Sequence, residues 1–236
     1  SPFHADFASI VGFGPTDIFV AGSKSGSSAS AALVAHFDGR TWTQTVLPGG
    51  PLQAIAGSGP SDVWAAGIEN SVFHFNGSVW AKHDVDKRLW FQDIKVVKGK
   101  PYALAYRIDE QPADTTWYYF LEWNTSRWDT LETAMDVSGI SFAPSFGVLS
   151  LSVIDGALYS GVPNVYKFDG NQWSKIQDRV GDVFGTSRNN LFAIGYRGMS
   201  HFNGTDWYEY PQFQSMSFGL SSGWTDGKEA FVVGND

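Results

Sequence analysis

The chain has 236 residues, no cysteine, 43% hydrophobic and 16% aromatic residues, and a formal net charge of −8. That composition implies a sizeable buried core and excludes a disordered chain, while the absence of thiols excludes disulfides, thiolate zinc sites and cysteine nucleophiles. Net acidity with Lys and Arg scattered singly excludes a nucleic-acid surface, which needs clustered cations, and no apolar run reaches the roughly 18 residues of a membrane-spanning helix.

The chain opens Ser1-Pro2-Phe3 without Met and shows no charged-then-apolar leader, which reads as a processed or trimmed product. Ser9 to Gly22 then reads as strand, Gly/Pro/Asp turn, strand, followed by a Ser/Ala/Gly-rich loop from Ser23 to Ala32. A third strand ends at His36-Phe37, an Asp38-Gly39 turn follows, and a fourth strand opens at Trp42. The same order returns at Ala54 to Gly67, His74-Phe75-Asn76-Gly77 and Trp80. Weaker copies begin at Ile94, Leu149 and Val183, with third-strand turns at Asn124, Asp169-Gly170 and Asn203-Gly204 leading to Trp128, Trp173 and Trp207. A last strand pair runs from Met216 to Gly234.

Four short strands per repeat, joined by Asx-Gly turns, are the pattern of a propeller blade. The expected fold is therefore all-β, a β-propeller of four-stranded blades, six-bladed with the last blade incomplete, five or seven blades being the alternatives. One domain over 1–236 is expected, with units at about 8–47, 52–85, 92–131, 147–177, 180–210 and 213–236.

Residues that obey the repeat are read as scaffold. His36, His74 and His201 share a position filled elsewhere by Lys167 and Glu122, which a metal ring does not tolerate, so they are expected to hydrogen-bond neighbouring strands or a turn Asp. Asp17 and Asp62, with Asn190 as counterpart, are expected to cap their turns. Trp42, Trp80, Trp128, Trp173 and Trp207 are expected to pack between adjacent blades. No metal site and no cofactor is expected.

Residues that break the repeat are the functional candidates. Arg88, Trp90, Tyr106, Arg107, Trp117, Tyr118 and the adjoining Tyr119 concentrate in the third unit, where an insertion from Arg107 to Thr116 adds Asp109, Glu110 and Asp114. Aromatic faces beside Arg and carboxylates suit a peptide or sugar ligand. Tyr196-Arg197 forms a smaller cluster. No nucleophile elbow, HExxH helix or phosphate loop occurs, and no spacing singles out a pair among the acids.

The phrase from Gly57 to Trp80, G-S-x-x-x-D-V-W-A-x-G followed by H-F-N/D-G-x-x-W, resembles bacterial extracytoplasmic β-propeller repeats of the kelch, two-component-regulator-propeller and Asp-box kind. Phe37-Asp38-Gly39-Arg40-Thr41-Trp42 departs from the Asp-box pattern by placing Gly directly after Asp. The resemblance implies the fold and an extracytoplasmic location: secreted, periplasmic or on the cell surface. The reading reached is a non-enzymatic binding or scaffold propeller that recognises a protein partner or a glycan. The alternative is a glycoside hydrolase or lyase on the same scaffold.

Overall fold

A computed structural model describes residues 4–24, 31–86, 88–109, 115–137, 150–161, 164–178, 181–195, 198–214 and 219–234. Blade 1 comprises β1 (Ala5–Gly14), β2 (Asp17–Lys24), β3 (Ala31–Phe37) and β4 (Trp42–Leu47). Blade 2 comprises β5 (Leu52–Gly59), β6 (Asp62–Gly67), β7 (Val72–Phe75) and β8 (Trp80–Lys82). Blade 3 is the longest, with β9 (Trp90–Val97), β10 (Lys100–Asp109), β11 (Thr115–Asn124) and β12 (Arg127–Val137). Blade 4 has β13 (Ser152–Ile154), β14 (Ala157–Ser160), β15 (Val165–Phe168) and β16 (Trp173–Gln177). Blade 5 has β17 (Asp182–Ser187), β18 (Asn190–Gly195), β19 (Gly198–Phe202) and β20 (Trp207–Glu209), followed by a single helical turn, α1 (Pro211–Gln214). The sixth sheet holds β21 (Leu220–Thr225) and β22 (Ala230–Gly234).

Each of the first five sheets is an antiparallel meander whose strands pair in sequence order, and the sixth holds two strands among the described residues. The fold is all-β and of the propeller class, with a final incomplete blade. The chain divides into two compact units, Ser1–Phe142 with blades 1 to 3 and Ala143–Asp236 with blades 4 to 6.

Within each unit the first strand of a blade lies against the first and second strands of the blade before it: β5 on β1 and β2, β9 on β5 and β6, β17 on β13 and β14, β21 on β17 and β18. The apolar cores fill those seams. Phe19, Ala21 and Val34 of blade 1 meet Ile55, Val63 and Phe73 of blade 2, and Trp64 and Val72 of blade 2 meet Phe91, Ile94 and Leu121 of blade 3. In the second unit Ile154 and Tyr159 meet Val183 and Leu191, and Phe192 and Ile194 meet Leu220. Burying each of the larger side chains contributes roughly 1.5–3 kcal/mol, so the seams hold successive blades together.

The Asx-Gly turns work through the side chain as much as through the glycine. Asp38 Oδ1 accepts from the Arg40 and Thr41 amides at 2.8 and 2.7 Å, and Asn76, Asp169 and Asn203 accept the equivalent pair at 2.8–3.1 Å. The glycine alone takes a left-handed φ, between 91° and 102° at Gly39, Gly77, Gly170 and Gly204. Blade 3 lacks that glycine and closes with a shorter turn, Asn124 pairing with Arg127, in which β-branched Thr125 is forced to φ 49°. Glycine at the end of the second strand has another cause. A Cβ on Gly22 or Gly67 would collide with the carbonyl oxygen of Asp6 or Pro51, where the first strand begins.

Candidate functional site

The recurring histidines sit in one local device. On β2, β6, β10, β14 and β18 an aromatic residue stands two positions after the strand start, and a polar residue of the third strand lies directly opposite: Phe19 with His36, Trp64 with His74, Tyr102 with Glu122, Tyr159 with Lys167, Phe192 with His201. The imidazoles stack on the rings at centroid distances of 3.9, 4.3 and 4.3 Å in blades 1, 2 and 5. Each His Nε2 also reaches the side chain that starts the second strand, Asp17 at 3.2 Å, Asp62 at 2.8 Å and Asn190 at 2.7 Å. Blade 3 inverts the charges. Lys100 replaces the acid and pairs with Glu122 at 2.6 Å, a bond that raises the Lys100 pKa. His201 is pushed below its ordinary value by burial. Among the described residues no group of three or more His, Cys, Asp or Glu converges to hold a metal.

The repeated tryptophans are not buried equally. Each lies against an aromatic at or next to the end of its third strand, Trp128 edge-on to Trp123 and the others tilted, with centroids 5.2–5.7 Å apart. Trp80, Trp128 and Trp207 also pack on the seam to the preceding blade. Trp42, in the first blade of its unit, is 40% exposed.

The candidates of blade 3 separate onto two faces. Trp90, Tyr106 and Tyr118 are cross-strand neighbours on one side, with Trp90 and Tyr106 in edge contact at 5.4 Å. Arg107 and Trp117 are paired on the other, where the Arg107 guanidinium lies 5.7 Å from the Tyr119 ring and bonds Asp109 at 2.9 Å. Of the sequence insertion, Arg107 to Asp109 belong to β10 and Thr115 and Thr116 to β11, while positions 110–114 lie outside the described residues. Glu110, Asp114 and Arg197 lie outside the described residues. Arg88 is turned to solvent and grips Asp86 with two bonds, at 3.2 and 2.9 Å, which hold the Asp86 carboxyl below its usual range; Arg107 adds a weaker attraction.

The Arg107 face opens on a cleft of about 500 Å³. Val85, Leu89, Leu121, Tyr119 and Trp128 supply its apolar wall, and Asp84, Asp86, Arg107 and Arg127 supply its charges. Two N–H donors of this lining, Arg107 Nε and Trp128 Nε1, are buried and have no hydrogen-bond partner among the described residues. A buried donor without an acceptor costs about 1–3 kcal/mol, and the cleft beside these two residues sets charged groups around an apolar wall. Sequence reasoning reached Arg107 and Tyr119 but missed Asp84, Asp86 and Arg127. The signal available was the charge-dense stretch Asp84 to Arg88, which joins two blades and of which the sequence reading singles out Arg88 alone.

No family model and no curated protein matches the chain. Among solved structures it is similar to YCF48 bound to D1 peptide, at 13% identity and a TM-score of 0.48, covering 99% of this chain and 91% of that one. It is also similar to YCF48 from Cyanidioschyzon merolae, at 11% identity and a TM-score of 0.46, covering 100% and 94%. The assignment to the propeller class rests on the strand order and the blade repeat.

Proposed function

We propose that the chain is a non-enzymatic binding propeller that acts outside the cytoplasm and recognises an extended segment of a partner protein in the blade 3 cleft. The observation that carries this reading is the cleft itself, in which Arg107 and Arg127 stand beside an aromatic and aliphatic wall. A polypeptide presents the complement at every residue, a carbonyl or carboxylate acceptor next to a side chain, and Arg with aromatic residues is the usual composition of a protein-binding centre. The extracytoplasmic placement is supported by the resemblance of the repeat phrase.

A peptide array probed with the full chain tests it. Bound peptides should lose about tenfold or more in affinity to Arg107→Ala, since a hydrogen bond to a charged donor is worth roughly 1.5–3 kcal/mol when desolvated. The Trp90→Ala variant, on the opposite face, should bind unchanged. Peptides that bind Arg107→Ala as well as the parent chain, or a glycan array that gives ligands where the peptide array gives none, overturn the reading.

A further inference from the structure

The charges that line the blade 3 cleft are not equally matched. β10 and β12 supply Arg107 and Arg127, and the segment joining blades 2 and 3 supplies Asp84 and Asp86. Arg107 bonds Asp109 at 2.9 Å, Arg127 bonds Asp129 at 2.7 Å and Asp86 bonds Arg88 at 2.9 Å. Asp84 is exposed, and among the described residues its carboxylate has neither a hydrogen bond nor an ion pair. Neighbouring His83 does not neutralise it. Burial first, and then His74, hold that imidazole below its ordinary value of 6.5, against a weaker opposite pull from Asp84 itself. Among the described residues, the cleft therefore carries one uncompensated negative charge beside its apolar wall.

Asp84 is also held in place from both sides. The His83 amide donates to the Val72 carbonyl at 2.9 Å, at the start of β7, and the Val85 amide donates to Asn70 Oδ1 at 2.9 Å. Asn70 is 7% exposed and takes a left-handed φ of 59°, which Asn tolerates better than most residues. Farther along, the Leu89 amide closes on the Asp86 carbonyl at 3.0 Å. A backbone pinned in this way fixes where the Asp84 carboxylate stands, so a ligand meets it with little ordering left to do. Val85 and Leu89 of the same segment join Leu121 and Trp128 in the apolar wall.

We propose that the segment recognised in the cleft presents a Lys or Arg side chain, whose methylene stem lies along this wall and whose cationic head pairs with Asp84. The proposal rests on the cleft being the peptide site, and it adds the class of side chain the site selects. Lys and Arg join an apolar stem to a charged head that stays near water, which is the combination offered here. An acidic side chain would meet Asp84 with like charge. The formal charge of −8 on the whole chain acts in the same direction, drawing a cationic partner and repelling an acidic one.

The probe is an array of short peptides, each printed in matched versions with Lys, Gln or Glu at one central position between apolar residues, and incubated with the full chain. Among peptides that bind, the Lys version should hold about fivefold more tightly than the Gln version, as a partly exposed ion pair allows, and the Glu version should be weakest. Added salt should shrink the Lys advantage. Asp84→Asn should make the Lys and Gln versions equal, and Asp84→Lys should reverse the order in favour of Glu, with circular dichroism checking that both variants keep their fold. Arg107→Ala should weaken all three versions and keep their order. Equal binding of the three versions by the parent chain, or a Lys advantage that persists in Asp84→Asn, overturns the proposal. Binding that falls in Arg107→Ala without any preference for Lys overturns the selectivity alone, whereas an array with no bound peptide overturns the cleft reading with it.

Discussion

Asp62 and Asp17 occupy the same repeat position but carry different loads, which makes them a test of the pairing device. Asp62 accepts from Trp64 Nε1 at 3.2 Å, from Ser58 Oγ and from His74 Nε2 at 2.8 Å, with its side chain 30% exposed. Asp17 meets His36 Nε2 at 3.2 Å and is 37% exposed. Hydrogen bonds to a charged acceptor are worth about 1.5–3 kcal/mol when buried, and exposed ion pairs about 0.2–1 kcal/mol. With roughly a third of each carboxylate in water, a value near 0.7 kcal/mol per bond gives a loss of about 2 kcal/mol for Asp62→Ala and under 1 kcal/mol for Asp17→Ala. Asp62→Asn should fall between, because Asn190 holds His201 at 2.7 Å with its amide oxygen in blade 5. Urea unfolding followed by tryptophan fluorescence reads the differences as shifts of midpoint at constant slope. If Asp17→Ala costs as much as Asp62→Ala, or Asp62→Asn as much as Asp62→Ala, the bonds do not support the blade in the way described.

Two further outcomes follow from single residues. Thr125→Gly should stabilise the first unit by roughly 0.5–1 kcal/mol, measured by the same unfolding, because glycine relieves the left-handed strain at φ 49°. His83, stacked on Trp64 and edge-on to Trp123, is held below the ordinary histidine value of 6.5 by burial and then by His74, and its Nε2 is buried without a partner among the described residues. Its folded pKa is depressed, so the unfolded chain takes up the proton first: stability present above about pH 6.5 is lost as pH falls below it. His83→Phe should flatten that decline between pH 7 and pH 5.5, and an unchanged slope would assign the pH dependence to other groups.

The blade boundaries were legible because each is written twice, once in the strand pattern and once in turn chemistry that permits few sequences. Asp38-Gly39 and its copies announce a hairpin wherever they stand, since the Asx side chain must cap the two following amides. The third unit was legible as the place where the repeat breaks, and the cleft lies there. What could not be read was which side of β10 and β11 each residue faces. That alternation depends on register, and it places Arg107 with Tyr119 while sending Tyr106 and Trp90 to the opposite side. Asp84 and Asp86 come from the chain joining blades 2 and 3, which has no periodicity to reveal what it lies against, and Arg127 comes from the start of β12. Packing between adjacent blades is expected of all five tryptophans from their shared spacing, but that spacing does not encode how exposed each one is, and Trp42 is 40% exposed.

The inverted pair of blade 3 sets a rule for how such a chain can be rebuilt. Asp62 with His74 and Lys100 with Glu122 are each self-consistent, but a hybrid that takes its second strand from one blade and its third from another would face Asp with Glu, or Lys with His. Blade 3 is therefore exchangeable with blades 1, 2 and 5 as a whole and not by halves. Any drift from one charge arrangement to the other must pass through a mismatched intermediate, unless the uncharged amide used at Asn190 serves as the stepping stone.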